Sequence, residues 1–158
     1  KVANFQNTCV AYDIDLNSIG KNYTMEAYVK CKKQGGLGVI WGKNVAYIFV
    51  RESRYTKEFI DKSDTLSLAF FCEDQKAMLG YMGKVSGRDE DKIAKMGLNV
   101  YFKDDIPVFK EAEQTLLCKK LYAGEINPKD FVDSEIDGKW YESKDYHTMY
   151  IVEILDVV

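Results

Sequence analysis

Apolar and polar residues alternate over residues 8–14, where Thr8, Val10, Tyr12 and Ile14 fall on one side and Cys9, Ala11 and Asp13 on the other. The alternation is clearer over 23–31, with Tyr23, Met25, Ala27, Val29 and Cys31 set against Thr24, Glu26, Tyr28 and Lys30. Both patterns predict half-buried strands. Residues 15–22, rich in Asn, Ser and Gly, predict the turn between them. Gly-Gly-Leu-Gly at 35–38 reads as a flexible break. Apolar runs follow at 39–41 and 45–50, divided by Gly42-Lys43-Asn44 as a turn or bulge. Three short helical patterns come next. The first covers 57–62, with Thr56 as its N-cap. The second covers 74–83 and places Ala77, Met78, Tyr81 and Met82 on one face. The third covers 89–96, carries Ile93 and Met96 inward, and stops at Gly97. Residues 65–71 predict a strand, as do 98–102, 108–110, 112–123 and 148–157, while 128–133 predicts a helical turn. The expected architecture is one domain over 1–158, mainly β with short helices, as a decorated barrel or sandwich. Helices do not alternate with strands as a doubly wound sheet requires.

Composition supports that class and removes several functions. The chain has 158 residues, 46% hydrophobic and 30% charged, which suits one globular core. Aromatic residues reach 13%, with eleven Tyr and eight Phe, and favour strands. Two prolines and no low-complexity run argue against a linker-rich chain. The net charge of −3 speaks against nucleic acid, and Lys30-Cys31-Lys32-Lys33 is too short to reverse that. The four cysteines, Cys9, Cys31, Cys72 and Cys118, stand far apart, so no metal or redox pair is spelled, and one histidine cannot complete a Cys/His zinc site. No metal is expected. Isolated cysteines point to a reduced, cytoplasmic setting. No signal peptide and no membrane-length apolar run is expected.

The candidate chemistry centres on Val50-Arg51-Glu52-Ser53-Arg54-Tyr55-Thr56. Two guanidinium groups, from Arg51 and Arg54, and two hydroxyls, from Ser53 and Thr56, sit where a strand hands over to a helix. Helix starts carry unpaired N–H groups and partial positive charge, so this corner suits phosphate or another oxyanion. A capped helix with two solvated arginines accounts for the same residues. Ser86-Gly87-Arg88-Asp89-Glu90-Asp91-Lys92 resembles a capping box, a helix start that is also compatible with an anion. His147, before the last strand, is a candidate proton donor. No nucleophile elbow, Walker loop or dinucleotide fingerprint occurs. Trp41, Trp140 and the tyrosines could stack on a flat ring, although core packing explains them as well. These residues describe a β-rich domain with an anion corner and leave the ligand open.

Several ordered segments carry a family resemblance: Gly-Gly-Leu-Gly-Val-Ile-Trp-Gly-Lys (35–43), the stretch from Val50 to Phe59, Leu-Gly-Tyr-Met-Gly-Lys-Val-Ser-Gly-Arg-Asp-Glu-Asp-Lys-Ile-Ala-Lys-Met-Gly-Leu (79–98), Glu-Ala-Glu-Gln-Thr-Leu-Leu-Cys-Lys-Lys-Leu-Tyr (111–122), and residues 139–154. Together they resemble the flavin reductase-like family, in its flavoredoxin-type branch. The resemblance implies a Greek-key split β-barrel that binds FMN non-covalently, with electron transfer or NAD(P)H-dependent flavin reduction as the activity. It implies a homodimer whose redox partner is a protein or a nicotinamide, with no nucleic acid or membrane partner. By motif, Arg51, Ser53, Arg54 and Thr56 would hold the FMN phosphate, and Ser86, Arg88 and Lys92 would close over the ligand. His147 would stand near the entry of substrate or nicotinamide.

The N-terminal part departs from the pattern. The family's Asn-Thr-Met-Thr-like loop is echoed only by Asn22-Tyr23-Thr24-Met25, and residues 26–34 intervene before Gly35. Thr24 is the hydroxyl that the echo offers to flavin. Three readings stand: an inserted loop, Lys30, Lys32 and Lys33 in place of hydroxyls, or a barrel module that has lost its flavin.

Overall fold

The computed structural model describes residues 35–158. The strands expected at 8–14 and 23–31, the turn between them, Thr24 and the 30–33 lysines lie outside the described residues.

The first described element contradicts the break expected at 35–38. Gly35–Ile40 is strand β1, paired antiparallel with β2 (Lys43–Arg51). Tyr47 explains how so glycine-rich a stretch holds a strand. It stands opposite Gly36, and its ring occupies the space a side chain would need, 2.6 Å from where a Gly36 Cβ would lie. The turn is also tighter than expected. Trp41 and Gly42 alone make it, both at positive φ (54° and 71°), the pattern of a two-residue hairpin loop whose twist matches the strands. Lys43 and Asn44 therefore belong to β2.

Among the described residues, five strands form one antiparallel sheet in the order β1-β2-β7-β6-β3, where β3 is Thr65–Phe70, β6 is Gln114–Glu125 and β7 is His147–Val157. Early and late strands interleave, as a Greek-key barrel requires and a simple meander does not. A hairpin of β4 (Val100–Lys103) and β5 (Ile106–Phe109) packs beside β3, where the Ser67 hydroxyl donates to the Pro107 carbonyl at 2.7 Å. The long β6 shifts register at Leu117/Cys118 and again at Lys120/Tyr122. Such bulges bend a strand, and a sheet that curls needs them. The mainly-β class with short helices is what the hydrophobic pattern predicts.

Alternation puts Ala46, Ile48 and Val50 of β2 and Tyr150 and Val152 of β7 into the core, against Ile60, Leu66, Leu68, Leu79 and Met82. Leu117 of β6 meets Ile106 and Val108 on a second, smaller cluster. Helix α1 (Tyr55–Lys62) is fastened over the main core. Ile60 is fully buried, and the buried Tyr150 donates its hydroxyl to Asp61 at 2.6 Å. Lys120 Nζ donates to the Ile60 and Asp61 carbonyls at 2.7 and 3.1 Å, closing the end of the helix.

The other helices are short. A 3-10 turn at Glu73–Gln75 leads into α2 (Lys76–Lys84), which buries Leu79 and Met82. Helix α3 (Lys92–Met96) starts later than expected, because Asp91, not Ser86, is the cap: its carboxylate accepts from the Ala94 amide at 3.0 Å. Gly97 ends α3 at φ 65°, as its position predicts. A 3-10 turn at Pro128–Asp130 covers the first half of the helical turn expected at 128–133. The hydrophobic pattern gives no sign of α4 (Glu135–Trp140), a six-residue helix with no fully buried residue. Among the described residues, no helix is long and apolar enough to cross a membrane.

Candidate functional site

The anion corner forms because β2 and β7 pair in a register that sets Arg51 opposite His147. Segments nearly a hundred residues apart therefore meet at one end of the sheet. The Glu52 amide donates to the Tyr146 carbonyl at 3.3 Å and carries the contact one residue further.

The four residues expected to hold phosphate separate into two groups. Arg51 and Ser53 turn toward the loop before β7. Arg51 donates to the carbonyls of Asp145 (3.1 Å) and Trp140 (3.0 Å), lies 3.8 Å from the Asp145 carboxylate, and stands 5.3 Å over the Tyr141 ring. Ser53 gives its amide to one Asp145 oxygen at 2.9 Å and its hydroxyl to the other at 2.6 Å. Burial pushes the Asp145 carboxyl upward, but the Ser53 hydroxyl and amide, then Arg51, outweigh it and hold it below the usual carboxylate range.

Arg54 and Thr56 belong to the helix start. Arg54, not Thr56, is the N-cap residue of α1, in extended conformation with no side-chain cap. Its guanidinium makes no hydrogen bond or ion pair among the described residues. Thr56 is the second helical residue and is fully buried. This end of α1 brings one uncommitted cation to the positive pole of a helix.

The second expected group is placed differently again. Arg88 crosses the start of α1: it lies 4.7 Å over the Tyr55 ring, donates to the Ser53 carbonyl at 3.3 Å and pairs with Glu58. Ser86 shapes its own turn, its hydroxyl accepting from the Arg88 amide at 3.2 Å. Lys92 points into the protein. It is 2% exposed and donates to the Met82 and Val85 carbonyls, both at 2.9 Å, so it caps the end of α2. That placement corrects the expectation that it closes over a ligand.

His147 is 9% exposed, and its Nδ1 lies 2.8 Å from the Tyr141 hydroxyl. Burial first, then Arg51 and Arg54, hold the imidazole below its ordinary value against the opposing pull of Asp145. Burial also raises the Tyr141 phenol. Both groups are thus neutral near pH 7. With the Tyr141 hydroxyl donating to Nδ1, the imidazole proton sits on Nε2; with the opposite tautomer, Nδ1–H donates to the hydroxyl oxygen. A neutral imidazole is a poor acid at pH 7, which narrows the expected proton-donor role. Phe131 and Tyr146 flank Tyr141, with ring centroids 5.8 and 4.9 Å away.

A cleft of about 360 Å³ adjoins the corner through Glu52, with Glu125, Asn127, Lys144 and Tyr146 among its walls. Its one amine is held by Asp137 at 2.6 Å. Two carboxylates in its lining make it a poor phosphate pocket, and Arg54 is not part of it. Among the described residues, no group of three or more Cys, His, Asp or Glu is placed to hold a metal ion.

Sequence reasoning missed Asp145, Tyr141 and Glu58. Asp145 stands two residues from His147, and its role depends on the β2–β7 register, which no local pattern states. Tyr141 follows the unforeseen helix α4. Glu58 reads as an ordinary first-turn acid of α1.

No protein-family model matches the chain, and comparison with curated proteins finds no match. Solved structures do match in shape. Flavoredoxin of Desulfovibrio vulgaris (Miyazaki F) superposes with a TM-score of 0.66 at 19% identity, covering 100% of this chain and 72% of the other. Flavoredoxin from Methanosarcina acetivorans gives 0.62 at 21% identity, over 84% of this chain and 64% of the other. An FMN-binding protein from Thermus thermophilus, with bound p-hydroxybenzaldehyde, gives 0.57 at 17% identity, over 78% and 59%. This chain thus spans less than two thirds of the length of the latter two. The fold is the one these flavin proteins share.

Proposed function

We propose that this split-barrel chain binds FMN non-covalently and serves as a flavin reductase-like or flavoredoxin-like oxidoreductase. The single observation that carries the reading is the uncommitted Arg54 guanidinium at the N-cap of α1, in a fold shared with flavoredoxins. The donor set fits a phosphate monoester at this end of α1. Arg54 and the first turn would hold it, with Thr56 beneath. Arg88, drawn over Tyr55 by Glu58, would wall the site.

When bound, the flavin would supply hydride and electron transfer. The residues of the chain position and shield. Arg51, locked onto the Trp140 and Asp145 carbonyls, ties β2 to the loop before β7. The Tyr141 hydroxyl, bonded to Nδ1, orients the His147 ring at this end of the sheet. The electron source is a nicotinamide or a redox protein. The exposed apolar residues of the β1–β2 hairpin, Leu37, Val39, Ile40 and Trp41, support a homodimer.

The experiment is the visible spectrum of the purified protein before and after FMN is added, followed by anaerobic NAD(P)H. Flavin absorbance that stays with the protein through gel filtration supports the reading. Bleaching by NAD(P)H selects reductase over electron carrier. One observation favours a second reading, a barrel module without flavin: Asp145 holds both donors of Ser53. Protein that stays colourless in excess FMN would establish it.

A further inference from the structure

The contact between Ser53 and Asp145 has the form of an occupied oxyanion site. An amide and a hydroxyl from one residue reach the two oxygens of one carboxylate, at 2.9 and 2.6 Å, and the Arg51 guanidinium stands 3.8 Å away. A backbone N–H, a hydroxyl and a guanidinium before a helix are what a phosphate or sulfate takes. Here the anion is the chain's own side chain. We propose that Asp145 is an internal competitor that occupies the Ser53–Arg51 half of the corner and thereby sets its affinity for phosphate. The inference deepens the functional reading above, from which it takes the corner as a phosphate site.

Two anions cannot share the Ser53 amide and hydroxyl beside the Arg51 charge without like-charge repulsion, so an incoming phosphate must displace the carboxylate or bind without Ser53. The loop that presents Asp145 is anchored independently of its carboxylate. Lys144 sits in the left-handed region at φ 59° with its amine on Asp137 at 2.6 Å, and the Tyr146 hydroxyl donates to the same Asp137 at 2.7 Å. The Asp145 main chain is also held, its carbonyl accepting from Arg51. Removing the charge of Asp145 therefore leaves the loop in place and loosens its hold on the Ser53 donors.

The test follows the Ser53 amide of ¹⁵N-labelled protein by NMR during titration with inorganic phosphate at fixed pH and ionic strength. Asp145→Asn is expected to reach half-saturation at a phosphate concentration roughly threefold to tenfold lower than the wild type. Asp145→Ser, a second neutral variant, should move the same way and stands in if the first does not fold. Equal or weaker response in the folded neutral variant, or no response in either protein, overturns the proposal. FMN titration of the wild type separates the two claims. If Ser53 gains phosphate affinity in the variant while FMN is never taken up, the flavin reading fails and the competition stands. If FMN binds and Ser53 gains nothing, only the competition fails.

Discussion

The Tyr141 hydroxyl lies 2.8 Å from Nδ1 of His147, and both groups are buried beside Arg51. Because His147 is the only histidine in the chain, its ring gives one unmistakable NMR signal. Burial and the nearby arginines depress its pKa in the folded state, so the folded protein binds this proton less readily than the unfolded chain does. By linkage, stability is intact above the ordinary value of 6.5 and falls as pH drops from there through the folded value. The NMR midpoint is expected below 6.5, and lower still in Asp145→Asn, because Asp145 pulls it upward. A midpoint at or above 6.5 contradicts the description of this pair.

Lys92 belongs to the framework. Replacing it with Met keeps most of the buried stem but leaves the Met82 and Val85 carbonyls without their donor. The expected loss is about 1–3 kcal/mol in urea unfolding. Affinity for FMN should stay within a factor of two once the variant is folded. A large loss of FMN with unchanged stability would return Lys92 to the ligand.

Tyr150 fastens α1 to β7. Tyr150→Phe removes the hydroxyl that donates to Asp61 and keeps the buried ring. Asp61 retains Lys57 at 2.7 Å, so the cost is expected to be modest, about 0.5–1.5 kcal/mol. Amide exchange in α1 should accelerate more than exchange in β3. Uniform acceleration would mean that the bond does not act on the helix specifically.

The two described cysteines should differ sharply in reactivity. Burial pushes the Cys118 thiol up to about 12, and it has no exposed surface, whereas Cys72 is exposed. Alkylation followed by peptide mapping should mark Cys72 in the native protein and Cys118 only after unfolding.

The fold was legible where apolar and β-branched residues gather into short runs. The apolar run 45–50 announces β2, and Gly97 announces the end of α3 from sequence alone. Other features depend on partners far along the chain. Gly36 and Gly38 read as a break because local propensity knows nothing of Tyr47 across the hairpin. Thr56 reads as a cap because hydroxyls usually are, yet burial carries it into the helix. At the site, the sequence grouped the arginines and hydroxyls of 51–56 as one set. It could not divide them, since the division is made by Asp145, brought beside Ser53 by the pairing of β2 with β7. Helix α4 escaped because six residues with a central glycine and no buried side chain leave no periodic trace.

The most direct test of the central claim compares FMN with riboflavin, which lacks only the phosphate, on the wild type and Arg54→Ala by calorimetric titration. The wild type is expected to prefer FMN, Arg54→Ala to lose about 1.5–3 kcal/mol of FMN binding, and riboflavin binding to stay unchanged. Equal affinity of a folded Arg54→Ala variant and the wild type for FMN would contradict that claim.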